Sequence, residues 1–193
     1  MIFVPSIIAF GVIVAAYVNL GAKLATLRHD GVLKRIRTTP LPAGAYLSGV
    51  LGSTAATTFA ITACTGAIGW LAFGAVPRAA GLAEIAGGLA LGVVCFGSLG
   101  LALSSVARSA ESASPIANAS YLPVAIMSGI FDPTFSVPRW LSAAVGLLPV
   151  RPLAQILQQG YTPVEHAPLS DLFVLAGWAA GGGFLAVWRF RWH

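Results

Sequence analysis

Residues 27–42 read Leu-Arg-His-Asp-Gly-Val-Leu-Lys-Arg-Ile-Arg-Thr-Thr-Pro-Leu-Pro, and they separate two apolar stretches that are each long enough to cross a bilayer. The segment holds four of the chain's 11 lysines and arginines: Arg28, Lys34, Arg35 and Arg37. Because charged side chains are costly to bury in hydrocarbon, the segment must lie in water at one membrane face. Short basic loops remain on the cytoplasmic side, so the sequence predicts a cytoplasmic loop over residues 27–44.

The composition of the chain is that of a membrane protein. Of its 193 residues, 57% are hydrophobic and 9% are charged, whereas soluble domains carry about 25% charged residues. The mean hydropathy is +0.84. Because a membrane-spanning helix needs about 20 apolar residues, we expect an all-α integral membrane protein with about five transmembrane helices in a single domain, residues 1–193. Basic residues at helix ends explain the formal charge of +5, so we expect no nucleic-acid partner.

Five apolar stretches are predicted to span the membrane: residues 2–22, 46–73, 82–106, 115–130 and 169–188. This arrangement places eight of the 11 basic residues on the cytoplasmic side and leaves three outside, Arg78, Arg139 and Arg151. The excess of positive charge inside predicts an external amino terminus and a cytoplasmic carboxyl terminus in the cell membrane.

The region before the last predicted span, residues 132–168, differs from the rest of the chain. Six prolines divide it into pieces too short to cross a membrane: Pro133, Pro138, Pro149, Pro152, Pro163 and Pro168. Between them, apolar residues recur at helical spacing over 137–148 and again over 153–157. We therefore expect two short amphipathic helices that lie at the outer interface or dip into it, with Trp140 and Tyr161 at a depth that suits aromatic residues.

Polar residues inside the predicted spans allow two readings. The second span carries threonines at spacings of three and four: Thr54, Thr57, Thr58, Thr62 and Thr65. Their hydroxyls are expected to bond backbone carbonyls or a neighbouring helix, with a polar transport path as the alternative. The fourth span carries Pro123 and places Asn118 and Tyr121 on one side. Since proline in a spanning helix frees a carbonyl that protein or water must cover, the fourth span is the better candidate for a pathway.

Small residues inside the spans predict packing contacts. The pairs Gly88/Gly92 and Gly177/Gly181 have the four-residue spacing of close helix–helix surfaces. Cys64 and Cys95 lie in separate apolar stretches without a metal-ligand spacing. We expect both to be buried free thiols.

Motifs for catalysis and energy conversion are absent from the sequence. It contains no G-x-x-x-x-G-K-[ST] loop, no HExxH and no GxSxG. Asp132, Glu165 and Asp171 are expected to be solvated or interfacial charges near the outer surface, and no ionisable residue is expected well inside a span. We therefore expect no enzyme activity, cofactor or metal site, and any energy for transport would come from another chain.

Two stretches resemble one family of membrane proteins. Residues 31–42, Gly-Val-Leu-Lys-Arg-Ile-Arg-Thr-Thr-Pro-Leu-Pro, are similar to the first cytoplasmic loop of ABC-2 type transporter permeases, the membrane subunits of drug, lipid and polysaccharide exporters. Residues 128–133, Ser-Gly-Ile-Phe-Asp-Pro, followed by residues 137–141 and 147–149, resemble the outer re-entrant region of the same family. The two stretches occur in the family's order, with the right number of spans between them.

The resemblance implies a permease dimer, homomeric or heteromeric, driven by cytoplasmic ABC-type ATP-binding subunits and surrounded by membrane lipid. It implies three groups of functional residues. The coupling residues would be Arg28, Asp30, Gly31, Lys34, Arg35, Arg37 and Leu41. The substrate pathway would include Phe10, Tyr17, Asn118 and Tyr121. The outer re-entrant region would be marked by Gly129, Pro133, Pro138, Trp140 and Pro149.

The chain departs from the family pattern in two respects. The family usually has six spans and a cytoplasmic amino terminus, whereas five spans are visible here, as though the first were missing or supplied by a partner. Where these permeases often carry a glutamate before the loop glycine, this chain has His29, with Asp30 beside it. The expected function is outward transport of an amphipathic or hydrophobic substrate, and the alternative is a non-transporting scaffold or assembly factor derived from a shortened permease.

Overall fold

The computed structural model describes residues 3–31, 43–107, 110–130, 138–162 and 169–189, and within these ranges it contains helices and no β-strand. The elements are α1 (Phe3–Ile13), a π-helical segment (Val14–Asn19), α2 (Leu20–His29), α3 (Ala43–Phe73), α4 (Gly81–Val106), α5 (Ala110–Met127), α6 (Arg139–Gly146), α7 (Val150–Gln159) and α8 (Leu169–Arg189). The expected all-α fold is confirmed.

Among the described residues, four helical stretches are long and apolar enough to cross a membrane: Phe3–His29, Ser48–Phe73, Gly81–Ser105 and Leu169–Ala186. A fifth is obtained if α6 and α7 together form one broken span or a re-entrant loop. The number of candidate spans agrees with the expectation of about five, but one of the expected spans is not among them. The helix α5 lies where the fourth span was expected over residues 115–130, yet it is not among the four, because Glu111, Asn118 and several serines make it more polar.

The first long helix runs further than the sequence indicated. The predicted span ended at residue 22, whereas α2 continues to His29, so Lys23 and Arg28 belong to the helix. It ends at Gly31, whose φ of 68° is the left-handed conformation that closes many helices. The predicted loop over residues 27–44 is therefore shorter, and Lys34, Arg35, Arg37 and Leu41 lie outside the described residues.

The helix α4 lies at the centre of the fold. It packs against α1, the π segment and α2 on one side, and against α7 and α8 on others. Gly88 and Gly92 confirm the first predicted packing surface: a Cβ at these positions would stand 2.7 Å from Ile156 Cγ2 and 2.8 Å from Leu153 Cδ1. The small surface of α4 therefore lets α7 approach closely, since only glycine leaves room for these side chains.

The second glycine pair does not pack within the described chain. Nothing lies within 4 Å of a Cβ built on Gly177 or Gly181. The contact between α8 and α4 uses Gly182 instead, which faces Ser98 and Leu99. The face of α8 that contacts α4 therefore includes Gly182 and leaves out the predicted pair, Gly177 and Gly181.

Two close backbone approaches hold α4: its first residue, Gly81, lies against the backbone of Gly160 after α7, and Gly100 lies against the π segment. A Cβ on Gly100 would stand 2.8 Å from the carbonyl oxygen of Ala16 and 3.0 Å from that of Tyr17. The facing position Gly21 is equally restricted, with the Gly100 carbonyl oxygen 3.2 Å away. Since these neighbours are backbone atoms, they cannot move aside as a flexible side chain would.

The helix α3 is mostly exposed at its surface and packs chiefly on α1. Thr54, Thr57 and Thr58 donate hydrogen bonds to carbonyl oxygens of their own helix at 3.0, 2.9 and 2.8 Å. These bonds favour the structural reading of the threonine row over a polar path. Cys64 is exposed on this helix, so the prediction of burial is wrong there, whereas Cys95 on α4 is buried.

We expect Gly100→Leu to reduce the free energy of unfolding by more than the 1–3 kcal/mol typical of overpacking, that is, by about 3 kcal/mol or more, because the clash is with backbone. The measurement is thermal unfolding of the purified chain in detergent. Gly87→Leu is the control, since nothing lies within 4 Å of a Cβ on Gly87 of the same helix. Equal melting temperatures for the two variants would contradict the crossing described above.

Candidate functional site: a cavity beside the bent helix pair

The helices α6 and α7 form a bent pair, whose axes differ in direction by 77° across residues 147–149. The break follows from Pro149, which disfavours a helical conformation of the residue before it. The two predicted short helices are thus confirmed as helices. However, α7 does not lie on the surface, because Leu153, Ile156 and Leu157 are buried between α1 and α4.

A tryptophan of the last helix stabilises the break. Trp178 Nε1 donates a hydrogen bond of 2.7 Å to the carbonyl oxygen of Leu147, which the interruption of the helix leaves without its usual backbone donor. The bond joins α8 to the bend of the pair. Because lipid offers no donor to a free backbone carbonyl, such a bond is favourable at a helix break in a membrane protein.

Two charged residues near the predicted outer surface are partly or fully buried. The Arg151 side chain is half-buried, and Nη1 donates to the carbonyl oxygen and Oγ of Ser142 at 3.1 and 2.9 Å. Asp171 was expected to be a solvated or interfacial charge, and it is only 9% exposed. Arg151 is the charged group that acts on its carboxylate. Because Asp171 lies in the first turn of α8, at the end of a candidate span, the expectation that no ionisable residue lies well inside a span stays a prediction.

A cavity of about 370 Å³ lies between the π segment, α4, α5, α8 and the bend of the pair. Apolar side chains form most of its wall: Phe96, Leu99, Ala102, Leu103, Val124, Leu148, Pro149 and Val150. The polar atoms come from Tyr17, Ser120, Tyr121 and Trp178. Such a site favours an apolar group with few hydrogen-bonding atoms.

Three of the four predicted pathway residues come together beside this cavity. Tyr17 and Tyr121 line the cavity, and their ring centroids are 6.4 Å apart in an edge-to-face arrangement. The ring centroid of Phe10 lies 5.9 Å from that of Tyr121. Asn118 is half-buried and is not part of the cavity wall. Tyr17 and Tyr121 therefore reach the cavity from separate elements, the π segment and α5.

The hydroxyls of Tyr17 and Ser120 and the indole N–H of Trp178 are already bonded to the protein. The hydroxyls of Tyr17 and Ser120 are 2.8 Å apart, and Ser120 Oγ donates to the carbonyl oxygen of Ala117 at 2.7 Å. Because a serine hydroxyl has one proton, Tyr17 is the donor to Ser120 in this chain of bonds. The cavity consequently offers few unsatisfied groups to a charged ligand.

The predicted coupling residues that the structure describes lie at the His29 end of the first helix. Arg28 Nη1 donates to the carbonyl oxygens of Ser104 and Ser105 at 3.2 and 3.5 Å. These carbonyls are in the last turn of α4, where the helix dipole also favours a cation. Asp30 is exposed beside the turn at Gly31. Arg28 thus links the end of α2 to the end of α4.

Three of the predicted re-entrant residues, Pro138, Trp140 and Pro149, lie in or next to the bent pair. Gly129 has φ 70° and follows α5, and Pro138 precedes α6. Trp140 is 73% exposed, whereas Pro149 is buried at the bend and lines the cavity. Pro133 lies outside the described residues.

Sequence reasoning missed Trp178, Arg151 and Asp171 as parts of the site. A helical face through Asp171, Leu175 and Trp178 could have been read from spacings of four and three. The partners on the bent pair could not, because they depend on the direction in which the chain turns at Pro149.

Comparison with known proteins gives one family. The sequence model of the ABC-2 type transporter family matches residues 1–161, which include the first long helix, the cavity-lining parts of α4 and α5, and the bent pair. No curated protein matches the chain at a significant level.

We expect Trp178→Phe to lower the free energy of unfolding by about 0.5–1.5 kcal/mol, because it removes the hydrogen bond to the carbonyl oxygen of Leu147. Thermal unfolding in detergent measures the effect. Trp188→Phe is the matched control on the same helix, since Trp188 is 71% exposed. A loss of stability as large in the control would mean that the hydrogen bond to Leu147 is not its source.

Proposed function

The chain belongs to the ABC-2 type transporter family, and from this membership and the cavity we propose that it is the permease subunit of an ATP-driven exporter. Membership makes it a multi-pass membrane component of a transport system and not itself the catalyst of ATP hydrolysis. We infer that a separate ABC-type subunit binds and hydrolyses ATP, and that the permease moves an amphipathic or hydrophobic substrate outward.

The cavity beside the bent pair is the observation that carries the proposal. Its volume of about 370 Å³ falls within the range of about 300–1,000 Å³ common to small-molecule sites. Its wall is mainly apolar, and the Tyr17 and Ser120 hydroxyls are bonded to each other. An apolar group gains from burial here, whereas an ion would lose its hydration without finding a partner.

The contacts of the first helix support transmission of force to this cavity. We propose that an ATP-binding subunit docks on the predicted loop after Gly31, through Lys34, Arg35, Arg37 and Leu41, with Asp30 at its edge. Motion of α2 would pass to α4 through Arg28 and through the close approach of Gly21 to Gly100. Since Leu99 and Leu103 on α4 line the cavity, its shape would change with the loop.

The proposal includes an arrangement in the membrane. Residues 1–193 form one transmembrane domain in the cell membrane, with the amino terminus outside and the His29 end of the first helix in the cytoplasm. The positions of Lys23 and Arg28 at that end of the helix support this orientation. The exposed apolar surfaces of α3 and α8 suit lipid or a second permease subunit.

A scaffold without transport activity is the alternative. It would keep the fold and the association with an ATP-binding subunit but leave the cavity unused. Transport by a purified permease–ATPase complex in proteoliposomes separates the two functions, because only the exporter carries a substrate in an ATP-dependent manner.

We expect Ala102→Phe to reduce transport by about tenfold or more, because the added ring occupies volume that the substrate needs. Uptake of a fluorescent amphiphile into inside-out vesicles containing the complex is the measurement. Val94→Phe, at a lipid-exposed position of the same helix, is the control. Unchanged transport by Ala102→Phe with normal expression would remove the cavity from the pathway.

We expect the double variant Arg35→Glu/Arg37→Glu to weaken copurification of the ATP-binding subunit and to lose most substrate-stimulated ATP hydrolysis, because reversed charges repel acidic groups on the docking subunit. ATPase activity and copurification are measured on the same preparation. Lys23→Glu provides a control charge reversal on an exposed position of α2. Wild-type stimulation in the double variant would show that these side chains fix topology without coupling.

A further inference from the structure

The Tyr121 side chain differs from the other polar groups of the cavity wall. The hydroxyls of Tyr17 and Ser120 and the indole N–H of Trp178 each have a partner within the protein. Tyr121 is only 6% exposed, yet no hydrogen bond joins its hydroxyl to another residue in the part of the chain that the structure describes. Buried polar groups are as a rule hydrogen-bonded, so this exception requires an explanation.

The hydroxyl of Tyr121 faces the cavity. Tyr121 is one of the residues that form the cavity wall, and its ring packs against those of Phe10 and Tyr17, at centroid distances of 5.9 and 6.4 Å. Within the described residues, the unpaired side-chain oxygens that are fully enclosed belong to three other residues: Thr62, Gln159 and Asp171. The Tyr121 hydroxyl is not among them and therefore retains accessible surface, and the space that its side chain borders is the cavity.

The unpaired hydroxyl makes one point of the wall a hydrogen-bond donor. A tyrosine hydroxyl can donate one hydrogen bond, and water accepts that bond wherever it reaches the group. A bound molecule that displaces this water without accepting the bond loses affinity. An apolar group placed against the hydroxyl would leave the donor unpaired, whereas an oxygen acceptor would satisfy it. The wall thus favours an acceptor at one point of an otherwise apolar surface.

The cavity wall also discriminates by charge. Among the described residues that form it there is no aspartate, glutamate, lysine, arginine or histidine. An ionic group would therefore lose its hydration without meeting a counter-charge, which costs far more than one missing hydrogen bond. The oxygen of a ketone, an ester, an ether or an alcohol accepts a hydrogen bond and avoids that cost.

We propose that the cavity binds neutral molecules that carry an oxygen acceptor on an apolar body, and that Tyr121 determines this specificity by donating a hydrogen bond to the acceptor. Tyr17 has no such role, because its own proton is engaged by Ser120. That the bound molecule is the transported substrate rests on the proposed function, whereas its binding is a property of the chain alone.

The test measures the binding of two matched probes by the full chain in nanodiscs. Methyl naphthyl ketone carries a carbonyl oxygen, and isopropenylnaphthalene has a methylene group in its place, so the probes differ in the acceptor and little in shape. Tritiated forms of both are titrated by scintillation proximity on the parent chain and on Tyr121→Phe. Comparison of one probe between two proteins cancels its partition into lipid. We expect the variant to bind the ketone about fivefold more weakly, the equivalent of one hydrogen bond, and the alkene at least as tightly as the parent.

Two further variants make the outcome specific to Tyr121. Tyr161→Phe removes a hydroxyl that lies against Gly66 of α3 and outside the cavity wall, and it is expected to bind both probes like the parent. Tyr17→Phe is expected to keep the parent ratio of ketone to alkene affinity. An unchanged affinity of Tyr121→Phe for the ketone, equal weakening of both probes, or a ratio that depends on Tyr17 instead would overturn the proposal.

The charge of the bound molecule is tested by competition. Naphthoate, which carries a carboxylate in place of the ketone, is expected to leave the bound methyl naphthyl ketone undisplaced. Displacement at the concentration at which the unlabelled ketone itself competes would overturn the preference for neutral molecules.

Thermal unfolding in detergent provides a readout without a ligand. Because the Tyr121 hydroxyl has no partner among the described residues, Tyr121→Phe is expected to melt at or above the parent temperature. Tyr17→Phe is expected to melt lower, since it removes the hydrogen bond to Ser120. A loss as large in Tyr121→Phe as in Tyr17→Phe would show that the Tyr121 hydroxyl is bonded within the protein and would overturn the proposal.

Binding and transport separate this proposal from the exporter function. Both are measured on the complex with its ATP-binding subunit, with the fluorescent amphiphile as the transported probe. Selectivity for the ketone that depends on Tyr121, in a complex that transports nothing, would support this proposal and contradict the exporter. ATP-dependent transport by a complex that binds ketone and alkene without regard to Tyr121 would support the exporter and contradict this proposal.

Discussion

The contact between two backbones, Gly100 on α4 and the carbonyls of Ala16 and Tyr17, is the constraint on which the arrangement of the helices depends. Because the π segment adds a residue to the turn, the first long helix presents different faces before and after it. Ile8 and Val12 pack in the main core, whereas Leu20 and Leu24 form a smaller cluster with Val50 of α3. One helix can thereby contact both α7 and α3 with its first half and α5 with its second, while its centre stays against α4.

The cavity is a consequence of this crossing and of the bend at Pro149. The crossing brings Tyr17 to the cavity wall, and the bend brings Leu148 and Val150 to the other side. Two polar groups at the crossing and at the bend are hydrogen-bonded within the protein. The Tyr17 hydroxyl bonds to Ser120, and the carbonyl oxygen of Leu147 accepts from Trp178. What remains is an apolar space with a small number of polar atoms, most of them bonded, and this combination suits an amphipathic or hydrophobic cargo.

Much of the fold could be predicted from the sequence, because long apolar runs and their charged ends reflect the membrane directly. The ends of α3, α4 and α8 lie within three residues of the predicted spans. The packing role of Gly88 and Gly92 was also predictable from spacing, whereas the grouping of Tyr17 with Tyr121 followed from the family resemblance. The burial of Arg151 and Asp171 was not, since a short proline-rich segment has no periodicity that reveals the direction of its turn. The π segment, Val14–Asn19, was not predicted either.

The central claim is that one cavity communicates with opposite sides of the membrane according to the nucleotide state of a partner. The most direct measurement is the labelling of Leu99→Cys, in a chain with both native cysteines replaced by alanine, by a membrane-impermeant thiol reagent added to either side of proteoliposomes that contain the complex. The account predicts labelling from the side of the basic loop without ATP and from the opposite side when hydrolysis is trapped with vanadate. Labelling that is the same from each side in both nucleotide states would contradict it.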